Sequence, residues 1–170
     1  MSRQTVRAQI AAYLTAGIGT VEYLTNVYAY PPKTTAAGEL IPQTIPGQDS
    51  GAVAYLHLTT QSEQRIALGG PTSGRKQVAY NLGIIIFQYG VNVETQVLGE
   101  ENDKLLDSLV AYIRASRTAG TGGAVFQWGE GTLAGGEDIH ILASMPVALR
   151  QQGAYVFATL ETTVLEIDTT

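Results

Sequence analysis

The stretch that decides the fold is QVAYNLGIIIFQYGV, residues 77–91. It reads as a strand, in which successive side chains point to opposite faces of a sheet. One face would carry Val78, Tyr80, Leu82, Ile84 and Ile86, and the other would carry Ala79, Gly83, Ile85, Phe87 and Tyr89. Because both sets are apolar near Ile84–Phe87, we expect a central strand that is covered on both sides.

Alternating segments on either side of this stretch predict further strands. Val53 to Thr59 alternates, the polar run Thr60–Glu63 is predicted as a turn, and Arg65–Leu68 completes a hairpin. The glycine-rich residues 69–74 are predicted as a second turn. Other strands are expected at Val27–Tyr30, Val125–Trp128, Asp138–Ser144 and Tyr155–Ile167.

Two segments have the periodicity of helices. Ser2 can cap the first helix, whose apolar stripe is Val6, Ile10, Tyr13 and Leu14, and Gly17 is a natural stop. The second is predicted from Glu100 to Arg117, with carboxylates in its first turn and arginines in its last, as the helix dipole favours. The element order predicts a single α+β domain over residues 1–170, with two helices on one face of a mostly antiparallel sheet.

Two stretches are expected to be irregular. Residues 33–50 contain Pro42, Pro46, Gly38 and Gly47, and residues 118–136 are rich in glycine. Loops of such length are uncommon in compact domains and are usually functional or disordered. The first is either a surface excursion or an arm that orders against a neighbouring subunit.

Composition excludes several classes of function. Charged residues make up only 15% of the 170 residues and the net charge is −5, which argues against the basic surface that nucleic-acid recognition requires. There are no cysteines, so no disulfide, thiolate nucleophile or zinc–cysteine site can form. Apolar runs such as Ile84–Phe87 are far too short to span a membrane, and no signal peptide is evident. We therefore expect a soluble protein that is used without secretion.

The candidate chemical motifs are weak. Residues 69–76 imitate a phosphate-binding loop, but Arg75 replaces the lysine and the loop leads into a strand, so a hairpin turn is the better interpretation. Neither His57 nor His140 has a metal-ligand partner at a recognisable spacing. Glu130 and Glu137–Asp138 could pair for acid–base work, although solvated loop charge explains them better. We predict a non-enzymatic protein with no metal and no cofactor.

The aromatic residues allow two interpretations. Trp128, the single tryptophan, suits either core packing or burial beneath a neighbouring subunit. Tyr28 and Tyr30, which precede Pro31 and Pro32, leave the same choice open. Nine tyrosines against three phenylalanines favour aromatic side chains that are half-buried and make contacts.

Several segments together resemble the tail terminators of tailed phages that infect actinobacteria. The resemblance spans most of the chain and agrees with the predicted element order, but it contains no catalytic signature. Neighbouring head–tail joining proteins share the same sandwich. The segments that carry it are residues 2–7 (SRQTVR), 27–33 (VYAYPPK), 51–57 (GAVAYLH), 65–71 (RIALGGP) and 126–131 (FQWGEG).

This resemblance implies a virion protein, assembled in the host cytoplasm, that forms a ring of typically six copies at the end of the tail tube. The ring would stop tube growth and join the tube to the head connector, with genome DNA passing through its lumen unbound. The alternatives are another neck or tail-completion protein, or a small ligand-binding or hydrolytic sandwich. The family supplies no motif residues, so the contact candidates are inferences of our own: Tyr28, Tyr30, Pro31, Pro32, Ile41, Pro42, Gly70, Pro71, Arg75, Trp128 and Glu130.

Overall fold

The structure, a computed structural model, describes residues 2–31, 49–65, 75–115, 118–119, 126–128, 139–149 and 153–169. It has an α+β fold with a mostly antiparallel sheet, as predicted. The helices are α1 (Arg3–Ala16) and α2 (Thr95–Ala115). The strands are β1 (Leu24–Tyr28), β2 (Ser50–Arg65), β3 (Arg75–Gly90), β4 (Thr118–Ala119), β5 (Phe126–Trp128), β6 (His140–Ala143), β7 (Val147–Leu149) and β8 (Gly153–Thr169).

The strands form one sheet in the order β1-β2-β3-β8-β5-β4, and β6 and β7 also pair with β8. Only β1 and β2 are parallel; every other pair of described strands is antiparallel. β3 pairs along its length with β2 on one side and β8 on the other, so the predicted central position of this strand is confirmed.

The predicted turn at Thr60–Glu63 is wrong. β2 continues without a break from Ser50 to Arg65, and the register with β3 shifts between Leu58 and Gln61. Thr60–Glu63 is exposed, so its polar side chains stay in water while the irregularity accommodates the extra residue. The hairpin is therefore formed by β2 and β3, and the predicted turn at 69–74 lies outside the described residues.

The first helix matches its prediction, and the second begins earlier than expected. Ser2 accepts a hydrogen bond at its Oγ from the Thr5 N–H at 3.2 Å, and Gly17 follows the last turn of α1. α2 begins at Thr95 rather than Glu100 and has no acidic residue in its first turn, so the predicted arrangement of carboxylates is wrong. The fully buried Leu98 anchors this early turn, a packing contact that charge spacing did not predict.

Most of the remaining strands were predicted with small errors in their bounds. Val27–Tyr30 corresponds to β1, Asp138–Ser144 to β6 and Tyr155–Ile167 to β8, and the short strand near Trp128 corresponds to β5. Neither β7 nor β4, which lies in the segment 118–136 that was expected to be irregular, was predicted. Apart from Asp49 and Ser50, which lead into β2, the expected loop at 33–50 lies outside the described residues, as does most of the glycine-rich segment at 118–136.

Both helices pack on the same side of the sheet, which we call the helix face. The core there includes Ile10 and Leu14 of α1, Leu105 and Leu109 of α2, and Ile84 of β3. A reciprocal pair of hydrogen bonds joins the helices: the hydroxyl of Tyr13 donates to the Tyr112 carbonyl, and that of Tyr112 donates to the Tyr13 carbonyl, both at 3.1 Å. Burial raises the pKa of Tyr112 above its ordinary value.

The opposite side of the sheet, the open face, is not covered in the same way. On β3, Ile84 and Ile86 are fully buried, whereas Ile85 and Phe87 are only half-buried. Phe157 of β8 is 42% exposed. The expectation that the central strand is covered on both sides is therefore wrong, because both helices lie on one face.

Candidate functional site

Three aromatic rings cluster on the open face where β3 and β8 run side by side. Phe87 and Phe157 are directly opposite each other in the register, and their ring centroids are 4.7 Å apart. Tyr155 lies next to both, at 6.0 Å from Phe87 and 5.8 Å from Phe157. These distances lie in the range of favourable aromatic pairs. We call these three residues the aromatic patch.

Exposed aliphatic side chains extend the aromatic patch across the edge of β8. Val147 is paired with Tyr155 and Leu142 with Thr159, so both lie on the open face. Leu142 is 63% exposed, Val147 is 44% exposed, and Met145 between their strands is 84% exposed. A group of exposed apolar side chains of this kind is typical of surfaces that contact another protein.

The other half of the open face is polar. Register pairs place His57, Gly83, Glu161 and His140 in one row across β2, β3, β8 and β6. A hollow of about 220 Å³ lies over this row and is lined by His140, Glu161, Asn81, Gly83 and neighbouring threonines. The structure thus brings the two histidines onto one surface, although their sequence positions gave no sign of it.

This row does not form a metal site. The histidines lie on strands three steps apart, so their Cα atoms are about 14 Å from each other, too far for both imidazoles to bind one ion. Within the described residues, no three His, Asp or Glu side chains are close enough together to hold a metal ion. The polar half of the open face therefore presents hydrogen-bonding groups and a small number of charged side chains, but no metal-binding cluster among its described residues.

A second hollow, about 440 Å³ in volume, lies at the end of the sheet where β2 and α2 begin. Its lining contains three carboxylates, those of Asp49, Glu94 and Glu101, and the buried Ser50 donates a hydrogen bond to the Glu101 carboxylate. We call it the acidic hollow. The rest of its lining is Tyr23, Ser50, Asn92, Val93 and Val97.

The contact residues predicted near the first proline pair are partly described. Tyr28 is half-buried and its hydroxyl accepts a hydrogen bond from Asn26 Nδ2 at 2.9 Å. Tyr30 is 50% exposed, and the Arg7 guanidinium lies 4.8 Å from its ring centroid. Pro31 is exposed. Tyr30 and Pro31 are therefore accessible for contact, whereas Tyr28 is partly used within the domain.

The other predicted contacts are not brought together. The backbone places Arg75 at the start of β3, opposite Thr169, and Trp128 at the end of β5, opposite Val164. Pro32, Ile41, Pro42, Gly70, Pro71 and Glu130 lie outside the described residues.

Sequence reasoning missed the residues of the aromatic patch as contact residues. Phe87, Tyr155 and Phe157 were each assigned to the correct strand, and only the cross-strand register brings them together.

No family model fits this chain, and no curated protein matches it significantly. Among the helices that the structure describes, none combines the length and apolarity needed to cross a membrane.

Proposed function

We propose that this chain is a structural assembly protein, a ring-forming subunit of the tail-terminator type that caps a phage tail tube. The observation that carries the proposal is the aromatic patch on the open face, extended by Leu142 and Val147. The sequence resemblance gives the proposal its specific form.

The physical argument starts from what a two-layer domain leaves uncovered. The helices bury one face of the sheet, while apolar side chains on the other remain in contact with water. Burying such surface stabilises association by roughly 25 cal/mol per Å² before the costs of binding are subtracted. A low charge content of 15% also lowers the cost of covering this surface with a partner.

A ring places further demands on the subunit. Closed rings use heterologous interfaces, in which two different surfaces of one subunit meet. In this proposal six copies form the ring, which contacts the tube protein on one side and the head connector on the other. The net charge of −5 suits a lumen through which DNA slides without binding, since few phosphates would be neutralised. The protein would reside at the neck of the virion.

The first test is the mass of the purified chain by light scattering across concentrations, alone and with tube protein. A ring of subunits is expected. Replacing Leu142 and Val147 together with serine should lower the oligomeric mass, because it removes exposed apolar area from the open face. Ile18→Ser is the matched control, since Ile18 is also an exposed aliphatic residue (36%) and belongs to the turn after α1.

The second test is electron microscopy of phage tails assembled without this protein. Tubes of irregular length that fail to join heads are expected. Uniform tubes that join heads normally would contradict the terminator role, and a chain that stays monomeric with and without tube protein would contradict assembly of any kind.

A further inference from the structure

β2 is much longer than the strand that covers its outer edge. β2 runs from Ser50 to Arg65, whereas β1, the outermost strand on that side, pairs only with Ala52–Tyr55. Among the described strands, no other pairs with β2 on the side of β1. The outward-facing backbone groups beyond the end of β1 therefore have no described strand beside them. A sheet edge of this kind is one to which another chain can add a strand.

Two arginines of α1 bind the first carbonyl groups of this stretch. Arg7 Nη1 donates a hydrogen bond to the Leu56 carbonyl and Arg3 Nη2 donates one to the Leu58 carbonyl, both at 2.7 Å. The spacings match, because residues one helical turn apart are separated by about 6 Å along a helix and alternate carbonyls by about 6.6 Å along a strand. The guanidinium groups therefore occupy the positions where the N–H groups of a further strand would bind. We call these two residues the arginine clasp.

Arg7 is held by further contacts. Its Nη1 also donates to the Ala29 carbonyl at 3.4 Å, and its guanidinium lies 4.8 Å from the centroid of the Tyr30 ring. The side chain of Arg7 is half-buried, whereas that of Arg3 is exposed. Because Ala29 directly follows the last residue of β1, Arg7 closes the edge where β1 ends, and Arg3 closes the next outward carbonyl.

The part of β2 beyond the arginine clasp has a second feature that hinders pairing. The register of β2 with β3 shifts between Leu58 and Gln61, and residues 59–64 are polar and exposed. A β-bulge twists an edge away from a regular partner, and bulges are among the devices by which proteins protect sheet edges. β1, the arginine clasp and the bulge thus follow one another along the same edge.

We propose that the arginine clasp blocks edge-to-edge pairing of β2 with a second copy of this chain, and so restricts self-association to other surfaces. A second copy is the relevant partner because every copy carries the same edge, and two identical edges can pair about a two-fold axis. The clasp occupies two acceptors that such pairing requires, and it places two positive charges at the contact. The inference goes beyond the proposed function and does not depend on a ring.

The test removes the arginine clasp in a chain whose open face has been weakened. The background variant carries Leu142→Ser and Val147→Ser, and the clasp variant carries Arg3→Ala and Arg7→Ala in addition. In sedimentation velocity the clasp variant is expected to associate at a concentration about tenfold lower than the background variant, a change that the net gain of one or two hydrogen bonds produces.

Amide hydrogen exchange shows which surface the new association uses. The N–H and C=O of a strand residue point to the same side, so the Leu58 N–H faces outward with the carbonyl that Arg3 binds. In the clasp variant, exchange at Leu58 should slow as the concentration rises. The N–H of His57 points the other way, towards Gly83 of β3, and its exchange is the internal reference.

Two control variants are made in the same background. Lys104→Ala with Arg114→Ala removes the same net charge from two exposed cations of α2 and should leave association unchanged. Arg3→Lys with Arg7→Lys keeps a positive charge and an N–H donor at each position and should behave like the background variant. Circular dichroism shows whether each variant folds. If the clasp variant does not, Arg3→Ala alone takes its place, because Arg3 is exposed and its removal leaves the contacts of Arg7 intact.

Three results would overturn the inference. The folded clasp variant could associate like the background variant, or it could associate more strongly while exchange at Leu58 stays unchanged. An equal increase in the control with Lys104→Ala and Arg114→Ala would show that net charge is the cause. None of these results affects the proposed function, because every comparison is made between chains with the same weakened open face.

Discussion

The two faces of β3 differ far more in burial than in composition. Ile84 and Ile85 are consecutive residues of the same type in the same strand. Ile84 is fully buried beneath the helices, whereas Ile85 lies on the open face and is half-buried. In this strand, therefore, the hydrophobicity of a residue does not determine whether it is buried. Burial is determined by which face of the sheet α1 and α2 cover.

This difference indicates that the apolar residues of the open face contribute to contacts outside the domain. The helix face has a complete core that joins both helices to β2, β3 and β8. The aromatic patch adds apolar side chains that this core does not need for closure, and part of their surface stays in water. A sheet with more apolar surface than its own helices cover is consistent with a domain whose second face is completed by a partner.

The largest effect on the free energy of unfolding is expected when Ile84 and Ile85 are compared. Ile84→Ala removes three carbons from a closely packed layer and should lower the free energy of unfolding by about 2–5 kcal/mol. Ile85→Ala should cost about 1 kcal/mol, since part of this side chain is already in water. Urea unfolding, at a concentration where the chain is dissociated, measures both.

The free energies of unfolding of the Ile84→Ala and Ile85→Ala variants should also be measured under conditions in which the chain assembles. Ile85→Ala should then become more costly, because a partner would bury what remains exposed. Equal losses for the two variants in the dissociated state would mean that the open face is covered within one copy.

Much of the fold could be predicted because local patterns determine it. The alternation in residues 77–91 and the Ser2 cap both depend on residues close in sequence, and the structure confirms them. The failures have a common physical cause. Both errors concern segments whose conformation depends on residues distant in sequence. Gln61–Glu63 continues as a strand because it pairs with β3. α2 begins before Glu100 because Leu98 packs against Ala154 and Val156 of β8.

The candidate surfaces were harder to predict for the same reason. The aromatic patch requires the register that places Phe87 opposite Phe157, and no local pattern specifies that register. The acidic hollow requires Asp49 to meet Glu94 and Glu101, which follow it by more than forty residues. Among the three predicted contacts whose burial the structure describes, Tyr30 and Pro31 are exposed and Tyr28 is half-buried.

An intermediate effect is expected for a pair of tyrosines on opposite faces. Tyr80 is fully buried on the helix face and its hydroxyl donates to Glu166 Oε2 at 2.9 Å. Tyr80→Phe removes this donor from a buried carboxylate and should cost about 1–3 kcal/mol. Tyr55, half-buried on the open face, is the matched control, and Tyr55→Phe should change the free energy of unfolding by less than about 0.5 kcal/mol. A loss for Tyr55→Phe as large as that for Tyr80→Phe would contradict the difference between the faces.

The smallest effect on stability belongs to Leu142, which is 63% exposed on the open face. Leu142→Ser should change the free energy of unfolding by no more than about 0.5 kcal/mol, because little of its side chain is buried within the domain. Its neighbour Ile141 points to the helix side, opposite Leu160, and is 42% exposed, so Ile141→Ser should cost somewhat more. In sedimentation velocity the order should reverse, with Leu142→Ser weakening self-association more than Ile141→Ser. If Ile141→Ser weakens association more, the partner covers the edge of the sheet on the helix side, and the open face is not the contact surface.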